Sequence, residues 1–190
     1  MTEKHVPVDP PSNLGPACFY PANPADRLYR LPWAAGIALT VGDGAFNRPC
    51  YTDHKGYEFD WLAKAGFPVL AARAGVVHSI EGSVVRIRRT EAAPFEDVVT
   101  TDWYIHVQTE DLPVEIGQSV RQGQLLTWLT PMPGRQGPHL HLEVHVKGHQ
   151  GVGHNGRMIQ SVPVPFVELT ERRDGVPFVG DVCVSQNEPS

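Results

Sequence analysis

Apolar and polar positions alternate in short runs from residue 35 onward, and the repeat is two. Residues 35–41 read as one strand, 69–72 and 75–80 as two more, and 83–89 (SVVRIRR) as a fourth. Residues 98–109 (VVTTDWYIHVQT) read as one long strand or as a hairpin. A strand at 124–129 follows, and 139–146 ends the series. Glu81-Gly82, Gly117-Gln118 and Gln122-Gly123 supply turns between them. The best candidate for a helix is a short one over 60–72, which Gly66 and Pro68 interrupt. Strands this short and closely spaced, with no helical stretches between them, predict an all-β fold. The expected form is a compact antiparallel β-sheet domain with irregular N- and C-terminal extensions.

The ends differ in kind from the middle. Pro7, Pro10, Pro11, Pro16, Pro21, Pro24 and Pro32 stand within residues 1–32, which read as an extended arm lying on the body or loose in solvent. The β domain then covers 33–168, and 169–190 is a C-terminal extension. At 190 residues the chain is long enough to bury a core without help from disulfides. Gly and Pro at 18 each argue for many turns and against a helical bundle. The net charge of −5 weighs against nucleic acid and anionic membrane surfaces as partners. Residues 1–16 carry no charged-then-apolar signal pattern, and no apolar run approaches the roughly 18 residues that span a bilayer. No membrane insertion is therefore expected. Cys18, Cys50 and Cys183 lie far apart without a C-x-x-C, which excludes a structural zinc knuckle and allows at most one disulfide.

Candidate chemistry concentrates in the histidines. In Gly137-Pro138-His139-Leu140-His141-Leu142-Glu143-Val144-His145-Val146 the alternation is strict. Leu140, Leu142, Val144 and Val146 take one face, placed on the core; His139, His141, Glu143 and His145 take the other. Two histidines at i and i+2 of a strand stand roughly 7 Å apart at the backbone. Both imidazoles then converge on one ion, or on an ion and its water; an exposed polar face is the plainer alternative. A second cluster runs from Asp53 and His54 to Trp61, with Tyr57, Phe59 and Trp61 alternating against Glu58 and Asp60. One His and one carboxylate from here, with one His from the later strand, make three ligands with an open fourth position. That is the arrangement of catalytic zinc; a solvated charged loop is again the plainer reading.

Several ordered segments carry a resemblance. His54 … Asp60 is similar to a first His/Asp ligand pair, and Gly66-Phe67-Pro68-Val69-Leu70-Ala71-Ala72 with Gly75-Val76-Val77 to a G-T-P-V-x-A-A…G-x-V strand pair. Tyr104-Ile105-His106 is similar to a strand bearing an isolated catalytic histidine, and Gly117…Val120…Gly123-Gln124 to the turn that follows it. Gly137 to Val144 is similar to a closing G-P-H-L-H-F-E-V strand. Taken together, residues 33–146 resemble the lysostaphin-type zinc endopeptidases, a family of bacterial cell-wall hydrolases.

The resemblance implies that His54, Asp60 and His141 hold one Zn²⁺ per chain, and that His106 and His139 are catalytic, one acting on the water and the other on the oxyanion or leaving amine. No H-E-x-x-H helix is present to supply a glutamate base, and a histidine near neutral pKa is adequate. The family commonly has three residues between its first His and the Asp, whereas five separate His54 from Asp60. Glu58 stands at the shorter spacing as a rival ligand; the six-residue step from Asp60 to Gly66 favours Asp60. The implied function is a zinc-dependent endopeptidase hydrolysing peptide bonds in peptidoglycan stem peptides or cross-bridges. It would act as a monomer on a wall peptide, in the periplasm or outside the cell.

Two rivals stand beside this. A non-catalytic peptidoglycan-binding or hydrolase-activating relative is disfavoured, because all five key positions are filled. A cupin-type metal protein also shows H-x-H on a strand, but its glutamate follows three or four residues later, whereas Glu143 follows His141 after one. The remaining residues receive plain readings: His5 in the arm, His78 on the surface, His145, His149 and His154 in or beside a Gly-rich loop, Cys50 a thiol that is no ligand, and Trp103 core or groove wall. Replacing Asp60 and Glu58 separately with Ala and measuring bound zinc separates the two carboxylates. Loss with Asp60→Ala alone is expected, and loss with Glu58→Ala alone reverses the choice.

Overall fold

The computed structural model describes residues 29–42, 58–90, 99–134, 137–146, 151–152, 158–159, 166–169 and 180–189. The strands in chain order are β1 (Ala38–Thr40), β2 (Glu58–Leu62), β3 (Pro68–Leu70), β4 (Gly75–Glu81), β5 (Val84–Thr90) and β6 (Val99–Ile105). β7 (Ser119–Val120), β8 (Leu125–Trp128), β9 (His139–Val146), β10 (Gly151–Val152), β11 (Met158–Ile159) and β12 (Val182–Val184) follow. The described residues hold no α-helix, only a short 3-10 turn at Val167–Leu169, so the fold is all-β as expected. No helix among them is long and apolar enough to cross a membrane.

One antiparallel sheet has the strand order β2-β9-β6-β5-β4-β7, while β3 with β8, β1 with β12 and β10 with β11 form separate antiparallel pairs. The period of two sorts its faces. Phe59 and Trp61 of β2, Leu140, Leu142 and Val144 of β9, Tyr104 of β6, and Val85 and Ile87 of β5 are all buried in the core. Their alternates, among them Asp60, His139, His141, Glu143, His145 and Trp103, stand on the opposite face.

β2 is absent from the strands expected above, and the interrupted helix candidate over 60–72 is not helical. Phe59 and Trp61 both enter the core, which a repeat of two permits and a helical repeat does not. The segment is the end of β2, a turn at residues 65 and 66, and then β3. Within residues 98–109, Val99–Ile105 form one strand, which stops before His106.

The chain's two ends meet under β2. Residues 1–28 lie outside the described residues; Tyr29 and Leu31, at the end of the arm, lie on the body and enter the core beside Trp33. Phe59 stacks on Trp61 with centroids 5.6 Å apart; Trp33 meets Trp61 edge-on at 5.2 Å, and Phe166 meets Phe59 at 5.2 Å. Such pairs add to the area they bury. The C-terminal segment closes the arrangement. Its strand β12 pairs with β1, and the Asn187 amide donates to the carbonyls of Leu31 (3.1 Å) and Ala71 (3.3 Å). At the turn facing it only glycine fits: Gly123 has φ 81°, and a Cβ there would stand 2.1 Å from the Glu188 carbonyl oxygen.

One ion pair sits inside this core. Arg89 Nη2 donates to Asp102 Oδ1 at 2.6 Å and also to the Tyr29 hydroxyl, which itself donates to Asp102 Oδ1 at 3.0 Å. Asp102 has no exposed surface. Truncating one member leaves an uncompensated buried charge, whereas replacing both by apolar residues is close to neutral. Asp102→Ala is therefore expected to cost about 3–5 kcal/mol in urea denaturation and the double change Arg89→Met with Asp102→Leu far less. Equal costs for the two would show that the pair is not what matters at this position.

Candidate metal centre

In the β2–β9 ladder Glu58 lies opposite Glu143, Asp60 opposite His141 and Leu62 opposite His139. Directly opposed side chains on one face have Cβ atoms about 5 Å apart, so register alone brings a carboxylate to an imidazole. Asp60 Oδ1 lies 3.1 Å from His141 Nδ1, and Asp60 Oδ2 lies 3.9 Å from His139 Nε2. A third ring comes from the end of β6. The His106 centroid is 4.6 Å from that of His139 and 5.8 Å from that of His141. One nitrogen from each of the three rings lies within 4.8 Å of the other two.

His106 reaches this position through a left-handed backbone, φ 65°. For a residue with a Cβ that conformation costs about 1–2 kcal/mol. Thr130 stabilises it: the Thr130 backbone N–H and side-chain hydroxyl both donate to the His106 carbonyl at 2.9 Å. Burial, and then the neighbouring imidazoles of His139 and His141, lower the His106 pKa to about 4 despite the opposing pull of Asp60. The ring is neutral at neutral pH.

Hydrogen bonds set the tautomers of the other two rings. His139 Nδ1 lies 3.0 Å from the Gly137 carbonyl. A carbonyl only accepts, so Nδ1 carries the proton and Nε2 keeps its lone pair on the Asp60 side. His141 Nε2 lies 2.9 Å from Glu143 Oε1, and His145 Nε2 bonds to Glu143 Oε2. Burial pushes the Glu143 carboxyl upward, but these two hydrogen bonds outweigh it and hold the pKa at about 2. The carboxylate is ionised and accepts from both rings. His141 therefore has Nε2 engaged by Glu143 and Nδ1 turned toward Asp60.

Asp60 Oδ1 and His141 Nδ1, 3.1 Å apart, are close enough to share one proton or one cation. Asp60 Oδ1 is buried and has no hydrogen-bond partner among the described residues, a costly condition for a carboxylate. A carboxylate oxygen and imidazole nitrogens with inward lone pairs are a donor set that suits zinc.

Of the residues singled out from sequence, the fold brings together Asp60, His106, His139 and His141. His54 lies outside the described residues, as do His5, Cys18, Cys50, His149 and His154. Glu58 is placed by its backbone only. His78 is exposed on β4, and Cys183 is buried. His145 lies on β9, on the face it shares with His141, and is partly buried. Sequence reading passed over Thr130 and the part Glu143 plays. The strict alternation of 139–146 already put Glu143 between His141 and His145 on one face; nothing local marks Thr130, whose partner is 24 residues away.

The pattern described as Peptidase family M23 matches residues 52–152, just over half of the chain. No curated protein matches. Among solved structures, the chain is similar to a zinc-containing peptidase from Vibrio cholerae at 20% identity, with 71% of this chain and 39% of that one covered and a TM-score of 0.48. It is similar to the antimicrobial peptidase lysostaphin from Staphylococcus simulans at 21%, with 67% and 48% covered and a TM-score of 0.41. It is also similar to the deep-sea M23 metalloprotease pseudoalterin at 17%, with 84% and 98% covered and a TM-score of 0.48. The chain thus spans about half or less of the length of the first two.

Because His106 is neutral in the fold, the unfolded chain binds more protons between pH 6.5 and about 4. Stability of the metal-free protein therefore falls as pH drops through that window. NMR titration of the His106 ring should give a midpoint near 4; a midpoint at 6.5 removes the argument from burial.

Proposed function

The chain belongs to peptidase family M23, and we propose on that premise that it is a zinc-dependent endopeptidase cutting peptide bonds in bacterial peptidoglycan stem peptides or cross-bridges. The observation that carries the reading is the buried Asp60 Oδ1, which has no hydrogen-bond partner among the described residues, beside imidazole nitrogens that lie within 4.8 Å of one another. Asp60, His141 and His54 would hold one zinc ion per chain. When bound, zinc supplies Lewis acidity: it polarises a carbonyl and lowers the pKa of a water, to about 7 in the best-studied sites.

The remaining work falls to His106 and His139. His139 keeps its proton on Nδ1 against the Gly137 carbonyl, so its Nε2 accepts a proton from the attacking water. His106 is neutral and half-buried beside it. In the tautomer that turns N–H toward the substrate it stabilises the developing oxyanion, while the proton that His139 takes from the water is the one handed on to the leaving amine. A wall peptide, short and extended, is the substrate class; the enzyme acts as a monomer, in the periplasm or outside the cell.

A zymogram on purified walls of several chemotypes, with and without chelator and with mass analysis of the fragments, tests this. Lysis should require the metal. His139→Ala should retain zinc and fold but lose about 10²–10⁴-fold in rate. Undiminished lysis by that variant, or by the chelated protein, would overturn the assignment.

A further inference from the structure

The open face of the sheet carries a line of side chains beyond the four site residues. It starts at His141, whose Nε2–H donates to Glu143 Oε1 at 2.9 Å. The second oxygen of Glu143 accepts from His145 Nε2. The His145 ring lies flat on Trp103, with centroids 4.4 Å apart and an interplanar angle of 15°. On Trp103 rests the Arg86 guanidinium, its central carbon 4.1 Å from the ring centroid. Arg86 is tied down in turn by Ser79 Oγ at 3.0 Å and by Glu81.

The register explains the line. Trp103 is directly opposite both Glu143 on β9 and Arg86 on β5, and His145 is one step along from Glu143 on the same face. Each member is fixed by at least two contacts. The side chains of His141, Glu143 and His145 are 13–17% exposed, so little water competes for these hydrogen bonds. His145 Nδ1, Trp103 Nε1 and Arg86 Nε are buried without hydrogen-bond partners among the described residues. Nature's usual preference is to leave such atoms wet or paired. Keeping them here is explained if the side chains serve the next member of the line.

We propose that Glu143 and His145, backed by Trp103 and Arg86, are positioning residues that hold His141 in its Nε2–H tautomer and aim Nδ1 at the metal. The inference rests on the metal reading above and adds a requirement that reading does not contain. A carboxylate bonded to the outer nitrogen of a ligating histidine fixes the ring and raises its basicity. Glu143 alone would be free to rotate away; His145 anchors its second oxygen, and the aromatic stack anchors His145. The reach of the site thereby extends across three strands.

The test compares wild type with Glu143→Gln, His145→Ala and His145→Gln. Zinc affinity is measured by competition with a chromophoric chelator, the visible spectrum with cobalt in place of zinc, and folding by circular dichroism. Glu143→Gln should bind zinc about 10–100-fold more weakly, since its amide accepts from one ring only. His145→Ala should lose about tenfold and shift the cobalt bands, and His145→Gln, which keeps an N–H donor, should recover part of that loss. If Glu143→Gln does not fold, the two His145 variants decide the matter alone. Folded wild-type protein that takes up no zinc sinks the metal reading and this inference together. Wild-type binding with an unchanged affinity and cobalt spectrum in His145→Ala overturns the positioning line and leaves the metallopeptidase reading standing.

Discussion

The pairing of β2 with β9 is the constraint on which the site depends. It sets Asp60 across from His141, and a slip of one residue would send Asp60 into the core and Phe59 and Trp61 into solvent. What prevents the slip is the aromatic cluster beneath. Phe59 and Trp61 are held by Trp33 from one end of the chain and Phe166 from the other. The Asp60 carboxylate is therefore positioned by residues on segments far from it in sequence.

Around that anchor the protein accepts local conditions that a structural core would avoid. Asp60 is buried with an oxygen that has no hydrogen-bond partner among the described residues, His106 sits in a left-handed backbone, and three imidazoles crowd one point. Each is unfavourable alone, and together they occur at one place. Thr130 and the Gly137 carbonyl keep two of the rings from relaxing out of it. Strain and unsatisfied polar groups gathered in this way mark positions kept for chemistry rather than for stability. In the buried Arg89–Asp102–Tyr29 group, by comparison, Asp102 Oδ1 is ion-paired while Oδ2 has no hydrogen-bond partner among the described residues, and the group joins the sheet to the N-terminal segment.

Much of the fold was legible. β4, β5, β8 and β9 lie where alternating runs predict them, because one buried face imposes a period of two. β2 was harder to read. Its five residues hold two aromatics and two acids, and the Gly and Pro that follow break any pattern that would set it apart from the turn. Proline-rich and irregular segments have no period, so nothing local chose between an arm lying on the body and one loose in solvent, or marked Tyr29 and Leu31 as core.

The sequence by itself determined that this is a β protein, that His139, His141, Glu143 and His145 share one strand face, and which segments resemble a metallopeptidase. These are properties of neighbouring residues, and the geometry of an extended backbone decides them. Only the tertiary structure decided that Asp60 stands opposite His141, that His106 bends in from the end of another strand, and that Trp103 and Arg86 back the histidine file. Those distances depend on register and on a core assembled from both ends of the chain, and no local pattern encodes either.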